Sequence, residues 1–242
     1  MVCHDGSEES QKALNTIHHG LLRDEDTLLV AHAWSNEKEQ YLRYNLKRDY
    51  IKQQNQADFT YLADRFEYVE DEVNSKEGEK AKEVLNRIAT NHYVHLTVVG
   101  SHGRKGPKAD PTVMGTAVQY LSVESAGPVM IIKDPKTRKD RPDGYTHAIC
   151  TDGSRKSMEA LALLCKIKHP NDKIYVIICE QENIDSTKIK ENVLVDLEER
   201  ECLERSTIQI LKSELGKKTQ DLIREHLMEN KELYVDFIFV GN

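Results

Sequence analysis

The sequence predicts an α/β fold, a doubly wound parallel sheet, present twice in tandem. Three observations carry that prediction. Motifs recur in the same order: "VCHDGSEESQKAL" from Val2 returns as "ICTDGSRKSMEAL" from Ile149, and "YVHLTVVG" from Tyr93 returns as "YVDFIFVG" from Tyr234. Such self-similarity implies two copies of one fold. Runs such as "TLLVAHA" and "HLTVVG" are continuous stretches of β-branched residues or leucine, as expected for strands buried on both faces of a parallel sheet. These runs alternate with segments of helical periodicity, the signature of βαβ units. The charged, proline-containing stretch "KDPKTRKDRPDGY", residues 133–145, reads as a linker, giving domains 1–134 and 145–242.

Each element follows from local chemistry. The first strand is short and ends at the Asp of "DGS". Ser7 and Ser154 are placed to cap the following helices, and Leu14, Ile17 and Leu21 recur at helical spacing. A second strand lies in "TLLVAHAW" in the first copy and in "KIYVIICE" in the second. Residues 36–71 are rich in charge and tyrosine and predict one or two helices before a strand near "RFEYV"; residues 182–206 are equally charged, and both read as solvated helical faces. "EGEKAKEVLNRIATN", residues 77–91, predicts an amphipathic helix before the fourth strand. After it, "GTAVQYLSVES" predicts a short helix stopped by Gly127-Pro128, and "PVMIIK" a fifth strand.

Composition narrows the function classes. The net charge of -7 argues against a general nucleic-acid binder, and no run approaches the apolar length of a membrane span. Cys3, Cys150, Cys165, Cys179 and Cys202 are odd in number and lack C-x-x-C spacing. They read as reduced thiols and point to a cytoplasmic location. No H-x-x-x-H spacing, paired cysteines or acidic cluster suggests a metal site.

The chemistry concentrates in "GSHGRKGPKADPTVMGT", residues 100–116. In an open parallel sheet, ligands bind beyond the carboxyl ends of the strands, where strand order reverses. Gly100 and Gly103 are expected to let the chain approach a ligand and to adopt positive φ. Gly115-Thr116 opens a helix, whose free N–H groups attract phosphate. The spacing fits neither a Walker motif nor a dinucleotide-binding G-x-G-x-x-G. Arg104, Lys105 and Lys108 could screen phosphate charge or simply keep an exposed loop soluble.

The ordered combination of "DGS", "VVGSHGRKG", "GT" and "PVMIIK" resembles the universal stress protein family, over nearly the whole chain as two tandem copies. The resemblance implies strand order 3-2-1-4-5 in each copy, the second lacking its last helix and strand. It also implies ATP, with or without Mg2+, held on a G-x2-G-x9-G-[S/T] loop. Gly100 and Gly103 match the first glycines and Gly115-Thr116 the last pair. Eleven residues separate Gly103 from Gly115, so this loop is longer than the pattern and carries Pro107 and Pro111. Asp5 matches the acidic residue facing the ribose and adenine, Ala33 a second-strand position against adenine, and Ala117 the last phosphate contact. The implied function is a nucleotide-sensing, non-enzymatic module of the stress response, with slow hydrolysis at most. Two alternatives stand beside it. One is an interaction protein of the same fold that binds no nucleotide and dimerises or docks partners; the other is an adenylate-forming ligase, whose signature motifs are missing.

The remaining expectations are structural. His4 and His102 flank the proposed pocket and read mainly as packing residues, while Cys3 and Cys150 read as small apolar fillers. The strand Pro128–Lys133 is expected to be an edge that pairs in a homodimer. The second copy keeps Asp152-Gly153-Ser154 but reaches only Gly241-Asn242 after its fourth strand, so one nucleotide per chain is expected, with poorly covered sheet near Phe237 and Phe239.

Overall fold

The computed structural model describes residues 1–106, 113–180, 185–213 and 216–241. The chain divides into two compact units, Met1–Thr137 and Arg138–Asn242.

The first unit runs β1 (Val2–Cys3), α1 (Glu8–Thr16), β2 (Leu28–Trp34), α2 (Asn36–Glu39), α3 (Arg48–Asp58) and β3 (Phe66–Glu72). It continues with α4 (Ala81–Asn91), β4 (Thr97–Gly100), α5 (Thr116–Glu124) and β5 (Val129–Ile132). Its sheet is parallel throughout, in the order β3-β2-β1-β4-β5. Val2 pairs with Val30 on one side and Val98 on the other. Strand order therefore reverses between β1 and β4, and the carboxyl ends of those strands form the topological switch point. On one face, Cys3, Leu29, Ala31 and Val99 pack beneath Val84, Leu85 and Ile88 of α4 and Val118 and Leu121 of α5. Helices α1 and α3 pack on the other.

The second unit runs β6 (Thr146–Thr151), α6 (Arg155–Ile167), β7 (Lys173–Cys179), α7 (Ser186–Glu199), β8 (Ser206–Leu211), α8 (Thr219–Glu229) and β9 (Phe237–Val240). Its parallel order, β8-β7-β6-β9, repeats the first four positions of the first sheet. The likeness extends to the "DGS" turns. Asp5 Oδ1 accepts the Ser7 amide at 3.0 Å, and Asp152 Oδ1 accepts the Ser154 amide at 2.9 Å. Ser7 and Ser154 each accept the amide three residues on and cap α1 and α6. Gly6 and Gly153 both take positive φ, +79° and +76°, and an isoleucine, Ile51 or Ile189, covers each. Any side chain there would be strained and would strike that isoleucine.

The units divide between Thr137 and Arg138, within the stretch 133–145, and charged residues that follow are engaged inside the second unit. The Arg138 guanidinium donates to Asp172 and stacks on Tyr145 at 4.1 Å, while Arg141 donates to Asp236 at 3.0 Å. Tyr145 is fully buried. Its charges neutralise buried carboxylates, a use that composition does not reveal. Phe237 and Phe239 are themselves buried, with Phe237 stacked on His147 at 5.4 Å, while Ile238 and Val240 beside them are exposed, so the apolar sheet surface near the phenylalanines is poorly covered on that face. The alternation of strand side chains sends the phenylalanines to one face and the aliphatics to the other.

Candidate functional site

The site grows from the carboxyl ends of β1, β2 and β4. A Cβ on Gly100 would lie 2.4 Å from the Glu9 carbonyl oxygen, so this glycine admits the backbone of α1 against β4. Its φ is not positive, and neither is that of Gly103; Gly106, at +72°, is the left-handed residue of the described loop. The expectation that Gly100 and Gly103 supply positive φ is thus overturned. Gly100 is required by a close helix–strand approach, and the reversal comes three residues after Gly103, where Gly106 donates its N–H to the Gly103 carbonyl at 2.8 Å.

The two ends of the glycine loop are tied together. Gly115 donates its N–H to Ser101 O at 3.1 Å, and His102 donates Nε2–H to Val113 O at 2.9 Å. Ser101 Oγ donates to Glu9 Oε2 at 3.0 Å. Gly115 is the N-cap of α5 and offers no side-chain cap, so the amides of Thr116 and Ala117 open the helix. Thr116 is exposed and Ala117 half-buried. A Cβ on Gly115 would stand 3.3 Å from Ser101 O and 3.4 Å from His102 Cα, in the cradle between the loop ends. Lys108, Pro107 and Pro111 lie outside the described residues.

Asp5 leaves β1 toward this loop. Its Oδ1 accepts the Ser7 amide and hydroxyl, and its Oδ2 accepts the Arg104 amide at 3.1 Å. Burial would raise its pKa, but those bonds and the Arg104 charge outweigh burial and hold it below the usual value. A Cβ on Gly103 would meet Asp5 Oδ2 at 3.2 Å. Ala33, half-buried in β2, pairs in register with Asp71. The fold thus brings Asp5, Gly100, Gly103, Gly115, Thr116 and Ala117 to one rim, with Ala33 on the neighbouring strand.

Sequence reasoning missed the polar group beneath that rim. The Arg104 side chain turns inward: Nε donates to Asp5 O at 2.6 Å, and Nη2 to Leu46 O at 3.0 Å and to His32 Nε2 at 3.1 Å. With Nε2 accepting, His32 Nδ1–H donates to Tyr68 Oη at 3.1 Å. Burial, with Arg104 beside it, pushes the His32 pKa down to about 3. His4 is also buried, donating to Gln11 and accepting from Asn55; burial lowers its pKa. Burial drives the thiols of Cys3 and Cys150 up to about 12 and 11, which keeps them unreactive. A histidine inside "LLVAHAW" was the available signal for His32, and nothing marked its partners.

The universal stress protein family model matches residues 1–133. Among solved structures, the chain is similar to a universal stress protein from Archaeoglobus fulgidus DSM 4304. That match has 14% identity and a TM-score of 0.61, and covers 100% of this chain and 84% of that one. It is also similar to protein Rv1636 from Mycobacterium tuberculosis H37Rv, at 18% identity and a TM-score of 0.34, over 41% of this chain and 72% of that one. The first likeness establishes a shared fold. Comparison with curated proteins returns no match.

Proposed function

The chain belongs to the universal stress protein family, and from that premise we propose that its first unit binds ATP or a related adenine nucleotide as a sensing module, without rapid turnover. One observation carries the reading. At the switch point, Gly115 leaves the first amides of α5 without a side-chain cap, at the end of the loop whose Arg104 amide donates to Asp5. Helix amides in that position suit a phosphate, and the space a Gly115 Cβ would fill suits its close approach. Thr116 and Ala117 would hold the phosphates, with Mg2+ arriving on the nucleotide, while Asp5 and the Ala33 backbone would take the nucleoside. Binding without chemistry is favoured because His4, His32 and His102 are buried and engaged within the fold. Among the described residues no group of three His, Cys, Asp or Glu could hold a metal ion. No described helix is long and apolar enough to cross a membrane. The second reading, an interaction module without nucleotide, is favoured by the inward Arg104.

Titration calorimetry with ATP tests the proposal. Gly115→Val should lose at least ~10-fold in affinity. Its φ of −61° suits any residue, but its Cβ would press Ser101 O at 3.3 Å, so thermal unfolding of the variant is compared with the parent to separate a lost contact from a lost fold. Asp5→Ala would also strip Ser7 of its acceptor, so Asp5→Asn, which keeps one, is the cleaner nucleoside-side variant. Parent-like binding in both Gly115→Val and Asp5→Asn would sink the assignment. Turnover near the ordinary enzymatic ~10 per second would sink the non-enzyme reading.

Self-association belongs to the same proposal. Among the described residues β5 pairs only with β4, so its outer backbone groups form an open edge. A homodimer through Pro128–Lys133 should make amide-exchange protection at Met130–Ile132 rise with protein concentration. A monomeric mass at high concentration, with unchanging protection there, would count against it.

A further inference from the structure

Arg104 is hydrogen-bonded to Asp5, the residue that the nucleotide reading gives to the nucleoside, and on that reading we propose that it is a built-in competitor of the nucleotide. Its guanidinium spans three elements at the site's nucleoside end: Asp5 O after β1, His32 of β2 and Leu46 O before α3. The Arg104 amide meanwhile takes Asp5 Oδ2. One oxygen of the Asp5 carboxylate that would receive the ribose is thus already taken from within the chain, with the guanidinium on the carbonyl of the same residue. His32 is fully buried and accepts from Arg104, so the guanidinium is held by a neutral acceptor and two carbonyls. A bound nucleoside must displace that side chain, and the apparent affinity is reduced by the fraction of molecules in which Arg104 is seated. Once released, the same cation is free to face the incoming phosphates, so the residue would oppose the nucleoside and favour the charge of the triphosphate. A site of this kind separates ATP from adenosine: adenosine meets only the competition.

Calorimetric titration of the parent, Arg104→Ala and Arg104→Lys with ATP and with adenosine tests this. Lysine keeps the charge but cannot reach all three acceptors, and it keeps the test open should the alanine variant fold poorly. Seated competition predicts that both variants bind adenosine at least ~5-fold more tightly than the parent, and that the lysine variant binds ATP more tightly too. Unchanged or weaker adenosine and ATP binding in both variants, with the parent still binding ATP, overturns the competitor and leaves the nucleotide site standing. If neither the parent nor either variant binds ATP, the nucleotide reading fails and the competitor falls with it.

Discussion

Gly100→Ala is expected to destabilise the first unit by about 3 kcal/mol, the upper range for forcing extra volume into a packed interior. The added methyl would sit 2.4 Å from the Glu9 carbonyl oxygen and 2.5 Å from its carbon. Both are backbone atoms of α1, so relief requires the helix to move off β4 rather than a side chain to turn. Gly103→Ala is the matched control. Its methyl would meet only the tip of the Asp5 carboxylate, at 3.2 Å, and should cost less than about 1 kcal/mol. Chemical denaturation monitored at Trp34, the chain's single tryptophan, reports on this unit. Equal midpoints for the two variants would mean that α1 does not press on β4 as described. A further consequence concerns ligand assays. Loss of nucleotide binding in Gly100→Ala would reflect a displaced α1, so Gly115 is the informative glycine.

Asp172→Ala is expected to cost the second unit about 3–5 kcal/mol, the usual penalty for breaking a buried ion pair from one side. The Asp172 side chain is fully buried and accepts five hydrogen bonds: two from Arg138, one each from the amides of Tyr145 and His169, and one from His147 Nε2. His147 is fully buried as well and would lose its acceptor. Arg138→Ala should cost less, because Asp172 keeps its other donors. Burial alone would raise the Asp172 pKa, but the bonds from His147, Arg138 and the two amides hold it far below the usual carboxylate range. Its unfolded value is near 3.9, so the unfolded chain takes up the proton first as pH falls. The stabilisation is complete above that value and drains away as pH drops beneath it toward the folded pKa. The gap between the unfolding midpoints of the parent and Asp172→Ala should therefore be smaller near pH 3 than at neutral pH. A gap that stays constant across this range would remove the carboxylate from the account.

Several features of this protein were written in the sequence because they rest on neighbours in the chain. Continuous apolar runs set the strands, and helical periodicity set α1 and α4. The two "DGS" segments each specified an aspartate-held turn and a serine cap, and both formed. Repetition of the motifs foretold two sheets built in the same strand order, and the resemblance they carried foretold that order itself. The bounds of the glycine loop were equally plain, since glycine and proline punctuate a chain locally.

What those residues do at the site was decided by tertiary structure. Arg104 reaches partners 58 to 99 positions away, and nothing beside it in "GSHGRKG" distinguishes a guanidinium that folds inward from one that faces water. Gly100 looks like a ligand-approach glycine until α1, contributed from the other end of the unit, is seen to press its Glu9 carbonyl against it. Arg138 and Arg141 read as linker charges until Asp172 and Asp236 are brought beneath them. Sequence determines the local backbone because hydrogen bonds and dihedral preferences act over a few residues. The site depends on which distant atoms meet at 3 Å, and that is set only when the strands assemble in order.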